Sequence, residues 1–417
     1  MRLIAIFLLL TACQTAPQPS TTETKALTTA KPTMKQDVYT AHFRDLPLVA
    51  SLSKLPWASD GWSSARGGAS FRWQLALNED SEEVEDLAPF IQYPIGSTVD
   101  INKLSPAEKL DLYLGNKDWA FTKKERHRTL EQTNADGSKR STIPEWEGMM
   151  HAWSEASIQF DPVGPVTLKS KDGKTVTFEA QDMYSLLSLF VHEQAPKPEV
   201  LAALCNPADM QELAAGAGPY SFENSKQALR RRHCTPIDAA KFHLVLANQI
   251  GKLNEGFIID RDHQGEIMNN PVVAYETRII EDATAKKLAE DQPRTLHLRT
   301  VLFLTAETTA AALDTSNDDY PYDSESYDYE IDLDGKGNVV KGRWLSANNA
   351  EANAAIPDFM WKASPVWLNG PVKSIYDQAR QSYVAHKAKQ LRPLEDMPVD
   401  ERQSLNSYFN ESHAKIR

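Results

Sequence analysis

The distribution of apolar residues along the chain decides where a core can form. Leu3 to Leu10 is an unbroken apolar run that follows Met1 and Arg2 and ends in Leu10-Thr11-Ala12-Cys13. It is too short to cross a bilayer as a mature helix, and its charged start and small end residues fit a cleaved export signal. Residues 14–35 are mostly Thr, Pro, Ala and polar side chains, a composition that cannot bury much apolar surface and that makes a flexible tether. Aromatic and apolar residues return from about residue 40 and persist, with no later stretch apolar enough to span a membrane and no fixed-period repeat. The expected organisation is a signal at 1–12, a tether at 13–40 and a single large domain at 41–417.

Within that domain the local patterns are mixed. Ser105 at a cap position and Pro106 at the first helical position start a helix that continues to Leu114. Met183 to Val191 is apolar and helical in length, and Phe242, Leu246, Ile250 and Leu253 recur at helical spacing across 237–253. Val272–Ile280, Leu298–Thr305 and Tyr327–Leu333 read as strands, and Asp334-Gly335-Lys336-Gly337-Asn338 reads as a hairpin turn into Val339–Trp344. Helices early and strands late predict an α+β fold rather than a doubly wound sheet.

Charge excludes some functions. The 417 residues carry 45 Lys and Arg against 57 Asp and Glu, a net charge of −12, so no basic stripe exists to neutralise nucleic-acid phosphates. An acidic tract runs from Asp314 to Asp334 without a Lys or Arg. Asp332-x-Asp334-Gly335 has the opening of a calcium loop, but Arg343 occupies the twelfth position, where a bidentate Glu is required. No metal or other cofactor is expected, although calcium binding by the tract as a whole stays open.

The chain has 3 cysteines: Cys13, Cys205 and Cys234. Cys13, with small residues before it and an apolar run before those, resembles the acylated cysteine of bacterial lipoprotein signals. That resemblance implies lipidation at Cys13, membrane attachment and, with Gln14 at the next position, the outer membrane. In an oxidising compartment Cys205 and Cys234 are then a pair enclosing a loop, and a disulfide is the expected state. The alternative is that Cys234, following Arg230-Arg231-Arg232-His233, is a thiolate nucleophile.

Three segments carry a more specific signal. They are Ile143-Pro144-Glu145-Trp146-Glu147-Gly148-Met149-Met150-His151-Ala152-Trp153-Ser154, then Phe242-His243 running to Ala247-Asn248-Gln249-Ile250-Gly251-Lys252, then Phe257–Asp260 leading to Glu266-Ile267-Met268-Asn269-Asn270-Pro271-Val272. In this order they resemble the transglutaminase elicitor family, as do Leu55–Trp62, Gly67–Trp73, Tyr329–Asp334 and Pro357–Trp361. The resemblance covers roughly residues 50–365. It implies a papain/transglutaminase-like cysteine-acyltransferase fold. Its chemistry is transfer of a glutamine acyl group from a helix-terminal thiolate to a lysine amine, with an imidazole as base and an Asp or Asn orienting it. His243 matches the family's histidine, and Asp260 and Asn269 are the alternative orienting groups. The family also tends to have a cysteine just before its histidine helix.

The nucleophile position departs from that pattern. Alignment on Gly148, His151, Ala152 and Trp153 places Met150 where the family has cysteine, and a one-residue shift gives Met149. A thioether has no proton to lose and cannot turn over as a thioester. The expected protein is therefore a lipid-anchored, catalytically degenerate transglutaminase-like module that binds a protein partner bearing Gln or Lys side chains. The alternatives are an active acyltransferase using Cys234 and a purely structural envelope lipoprotein.

Overall fold

The computed structural model describes residues 39–78, 94–97, 100–134, 137–144, 146–203, 237–261, 268–282, 292–310, 321–345, 356–357 and 359–390. The signal, most of the tether, and Cys13, Cys205 and Cys234 lie outside the described residues.

The helices begin where sequence chemistry says they should. α1 (Pro106–Leu114) has a capping box: Ser105 Oγ accepts from Glu108 N and the Glu108 carboxylate accepts from Ser105 N. Gly115 ends it in the left-handed conformation that favours glycine (φ 73°). α2 (Ala120–Thr129) follows, then α3 (Met150–Gln159) and α4 (Ala180–Gln194). α5 (Ala239–Leu246) is capped by Asp238, which accepts from Ala240 N and Lys241 N, and it runs directly into a π-helical turn over Ala247–Leu253. α6 (Gly370–Gln390) closes the described chain.

β1 is Val49–Ser51, and β2 (Val166–Lys169) and β3 (Thr175–Phe178) form a separate hairpin. The remaining strands are β4 (Glu199–Ala203), β5 (Ile258–Asp260), β6 (Asn269–Asp282), β7 (Arg294–Thr305), β8 (Tyr322–Leu333), β9 (Val339–Trp344) and β10 (Phe359–Lys362). They make an eight-stranded sheet in the order β4-β10-β5-β6-β7-β8-β9, with β1 pairing β6. β5 pairs with Asn269–Pro271, and β1 takes over that edge of β6 at Ala274–Glu276. The β8–β9 turn is tied by Asp334, whose carboxylate accepts from Lys336 N, Asn338 N and Asn338 Nδ2.

Two apolar cores result. One joins α1, α3, α4 and α6 with Trp57, Trp62, Trp73 and Trp153. The other fills the space between α5 and the long strands, with Phe242, Val245, Leu298, Leu302, Tyr327, Tyr329 and Ile331. Two buried ion pairs brace the first. Arg72 binds Glu108 through Nε (2.9 Å) and Nη2 (2.7 Å), and Lys109 pairs with Asp182, whose other oxygen accepts from Trp73 Nε1. Breaking either would strand a charge away from water.

β5 divides its side chains between the second core and a smaller cluster against α3. Ile258 packs with Phe359, Trp361 and Ile158 of α3, whereas Ile259 belongs to the second core with Met360. Strand alternation therefore turns Asp260 toward α3, on the face of Ile258.

Candidate functional site

The N-terminus of α3 is shaped by the first motif. Gly148 lies where a Cβ would stand 2.6 Å from the Gly61 carbonyl oxygen, 2.9 Å from that of Trp62 and 3.0 Å from Ser63 Cα, so only glycine lets the two backbones approach. Met149 N donates to Gly61 O (2.7 Å) and Ser64 N to Glu147 O (2.6 Å). Trp153 Nε1 donates to Trp57 O, Trp57 Nε1 to Phe160 O, and Trp57 stacks on Tyr184 with centroids 4.0 Å apart. The Leu55–Trp62 and Gly148–Trp153 segments thus pack as one unit. Asp60 holds the loop through Arg66, Trp62 N and Ala310 N.

Met150 is the first residue of α3 and is partly buried against the first core. Met149, at the N-cap, is fully buried and makes no side-chain cap. Position 150 therefore sits where first-turn N–H groups would stabilise a thiolate, and it carries a thioether.

Asp260 and Asn269 meet α3 from the sheet. They are register partners in β5 and β6 and share its face. Asn269 Oδ1 accepts from Trp361 Nε1 (3.1 Å), and its carbonyl lies within hydrogen-bonding reach of Ser154 Oγ, which also reaches Met150 O (3.0 Å). Asp260 Oδ1 accepts from Met268 N (2.9 Å). Met150, Asp260 and Asn269 are in this way gathered around one helix and one sheet face, with Ser154 and Trp361 as the linking side chains. Both linkers belong to segments named from the sequence, but their contacts with Asn269 depend on strand register.

His243 has partners of its own. It sits in α5, 1% exposed, stacked on Phe43 at 5.6 Å, with Nδ1 2.9 Å from Tyr329 Oη. Tyr329 Oη continues to Thr300 Oγ1 (2.7 Å), and Thr300 to Thr277 Oγ1 (2.7 Å). Tyr329 belongs to the second core. Burial pulls the imidazole down to about pKa 4, so it is neutral at pH 7, and Nε2 has no hydrogen-bond partner among the described residues. The hydrogen-bond partner of His243 Nδ1 is thus the Tyr329 hydroxyl.

The Ala247–Gly251 segment has a structural task. Asn248 binds Thr40 N and Thr40 O, Gln249 binds Tyr39 Oη, and a Cβ on Gly251 would meet Tyr275 Oη at 2.8 Å and Pro47 at 3.0 Å. The π-helical turn anchors the start of the domain.

A second set of titratable groups lies on the α3–α4 contact. His151 Nε2 is 3.2 Å from His192 Nδ1, and His192 Nε2 is 3.3 Å from Arg128 Nη1. Burial first, then nearby Arg128, holds His151 near pKa 4; burial, His151 and Arg128 hold His192 well below its ordinary value. Glu155, 4% exposed, is raised by burial to about 8, and Oε2 has no donor among the described residues. On β8, Asp323 pairs with Arg261, and Asp328 with Arg299. Among the described residues, no group of three or more His, Cys, Asp or Glu side chains could hold a metal ion.

The comparisons with known proteins agree with this assembly of motifs. A search of curated proteins finds no match. Among solved structures, the crystal structure of the GP42 transglutaminase from Phytophthora sojae is similar, with a TM-score of 0.54 and 20% identity over 84% of this chain and 98% of that one, a likeness of fold. The model of the transglutaminase elicitor family matches residues 34–366, which include the motif at the α3 N-terminus, the His243 helix and the β5–β6 pair. The chain belongs to the transglutaminase elicitor family.

Proposed function

We propose that this is a lipid-anchored envelope protein whose transglutaminase-like cleft has lost its nucleophile and serves as a binding module for a protein partner. One observation carries the proposal: the first residue of α3, where the family's thiol would stand, is Met150. The thioether sulfur neither ionises nor leaves, so the acyl-enzyme step of a papain/transglutaminase-like mechanism has no atom to form on. The environment of His243 supports the same reading, since burial keeps the imidazole neutral and its Nδ1 is engaged by the Tyr329 hydroxyl. Anchoring through Cys13 and an outer-membrane location rest on the sequence of the signal and on Gln14.

Amine incorporation tests the loss of catalysis. The full mature chain, with dansylcadaverine as amine and casein as glutamine donor, is expected to give only background labelling. Robust incorporation that a thiol blocker abolishes would overturn the proposal and point to Cys234. In the Met150→Cys variant the new thiol is expected to alkylate readily at the helix N-terminus while acyl transfer stays at background. Labelled palmitate should enter the wild-type protein and not Cys13→Ala. Equal labelling of both would remove the anchor.

A further inference from the structure

Three basic side chains from three helices meet beside the first turn of α3. His151, the residue after Met150, has its Nε2 3.2 Å from Nδ1 of His192, in the last turn of α4. Nε2 of His192 is in turn 3.3 Å from Nη1 of Arg128 in α2. Both imidazoles are partly buried.

The donors fix where the protons are. A guanidinium carries only N–H donors, so Arg128 Nη1 donates and His192 Nε2 accepts. The His192 proton is then on Nδ1, and it is donated to His151 Nε2, which leaves the His151 proton on Nδ1. This chain runs one way and holds only while both rings are neutral. A proton added at His151 Nε2 faces the His192 Nδ1–H. If the His192 proton moves to Nε2 so that Nδ1 can accept, that N–H faces Arg128. Either way one added proton sets two donors against each other, and it brings a second positive charge up to the guanidinium.

The nearby carboxyl groups do not offset that charge. Glu125 is bound by Arg128 through Nε (2.8 Å) and Nη2 (2.6 Å) and also accepts from Ala69 N. Glu193, next to His192, pairs with Lys124, and Glu147, just before α3, pairs with Arg140. Glu155, one turn further along α3, is raised by burial to about 8 and is mostly uncharged at pH 7. Burial and Arg128 both oppose charge on either ring.

We propose that His151, His192 and Arg128 form an acid-sensitive latch, which holds the first turn of α3 against α2 and α4 and releases it when an imidazole is protonated. The Arg72–Glu108 and Lys109–Asp182 pairs brace the rest of the first core and are separate from the latch. Release therefore loosens the turn that carries position 150 and leaves the remainder of the domain folded. The latch does not depend on the side chain at position 150, so its test is independent of the loss of catalysis.

Histidine NMR and hydrogen exchange on the full mature chain test it. At pH 7 the ring-nitrogen shifts should show the Nδ1–H tautomer for both His151 and His192. The amide of Trp153 closes the first turn by donating to Met149 O (2.8 Å). Its exchange, corrected for the intrinsic rate, should speed up by about 10-fold or more between pH 6.5 and 4.5, because opening frees an imidazole held near pKa 4 to return toward 6.5. Amides of α1 should not follow. His192→Phe, which cannot take a proton, should keep Trp153 protected at pH 4.5. An Nε2–H tautomer on either ring, unchanged protection of Trp153 at pH 4.5, equal acceleration in α1 and α3, or a His192→Phe variant that opens like wild type would each overturn the proposal. The tautomer and the wild-type exchange profile decide the matter even where the variant does not fold.

Discussion

The Ser154 hydroxyl and the Asn269 carbonyl are hydrogen-bonding partners, and this contact seats α3 on the first residue of β6. In Ser154→Ala the Asn269 carbonyl loses that donor in a buried position, so the domain should lose about 1–2 kcal/mol. Urea unfolding gives the number. A midpoint shift near zero would mean that the helix is positioned by packing alone.

Tyr329 joins His243 to Thr300 through one hydroxyl. Tyr329→Phe keeps the ring, with its edge contact to Phe242 at 5.5 Å, and removes only the oxygen. Two buried polar partners are left short, and the expected cost is about 1–3 kcal/mol. The check is the denaturation midpoint at pH 7, read beside Thr300→Val. The double variant should cost less than the sum, because both single changes break the same chain.

Glu155 makes stability fall on the alkaline side. Its folded pKa, raised by burial to about 8, exceeds the ordinary value of 4.5, so the folded state holds a proton that the unfolded state has released. The stabilising contribution is complete below about pH 4.5 and is lost as pH rises through 8. Between pH 6.5 and 8 the slope should approach about 1.4 kcal/mol per pH unit, and Glu155→Gln should flatten it. Below pH 6.5 the sign reverses: His151 and His243, both near 4 when folded, contribute stability present above 6.5 and lost as pH falls through 4. Urea midpoints at pH 5, 6.5 and 8 should peak in the middle. A profile that is flat from 6.5 to 8 in wild type would refute the assignment to Glu155.

Gly148→Ala should be the most damaging single-methyl change at the candidate site. Its Cβ would press on the main chain of residues 61–63, where no side chain can swing away. A loss of about 1–3 kcal/mol is expected from overpacking, with a lower melting temperature. An unchanged melt would show that the Gly61–Ser63 backbone can retreat at no cost.

Sequence patterns foretold those features that depend on neighbours in the chain. α1 was legible because Ser105 and Pro106 mark its start, and β8–β9 because Asp334 and two glycines write a tight turn. The β2–β3 hairpin had its own signal, Thr175-Val-Thr-Phe after Asp172-Gly173, but it lies among helices and was not singled out. The candidate site was legible only in part. Its segments could be named, yet which face each residue takes is set by the pairing of β5 with β6 and with β10, the last of these about a hundred residues further along the chain. Nothing local to Phe242-His243 tells that its hydrogen-bond partner is Tyr329, 86 residues away.

The contact between Gly148 and the Gly61–Ser63 backbone has a consequence for substitution at position 150. The fit there is main chain against main chain, fastened by Met149 N to Gly61 O and by tryptophans that bind carbonyls on either side. None of these fasteners uses the side chain at position 150. The residue at position 150 can therefore change without loosening the main-chain frame around it.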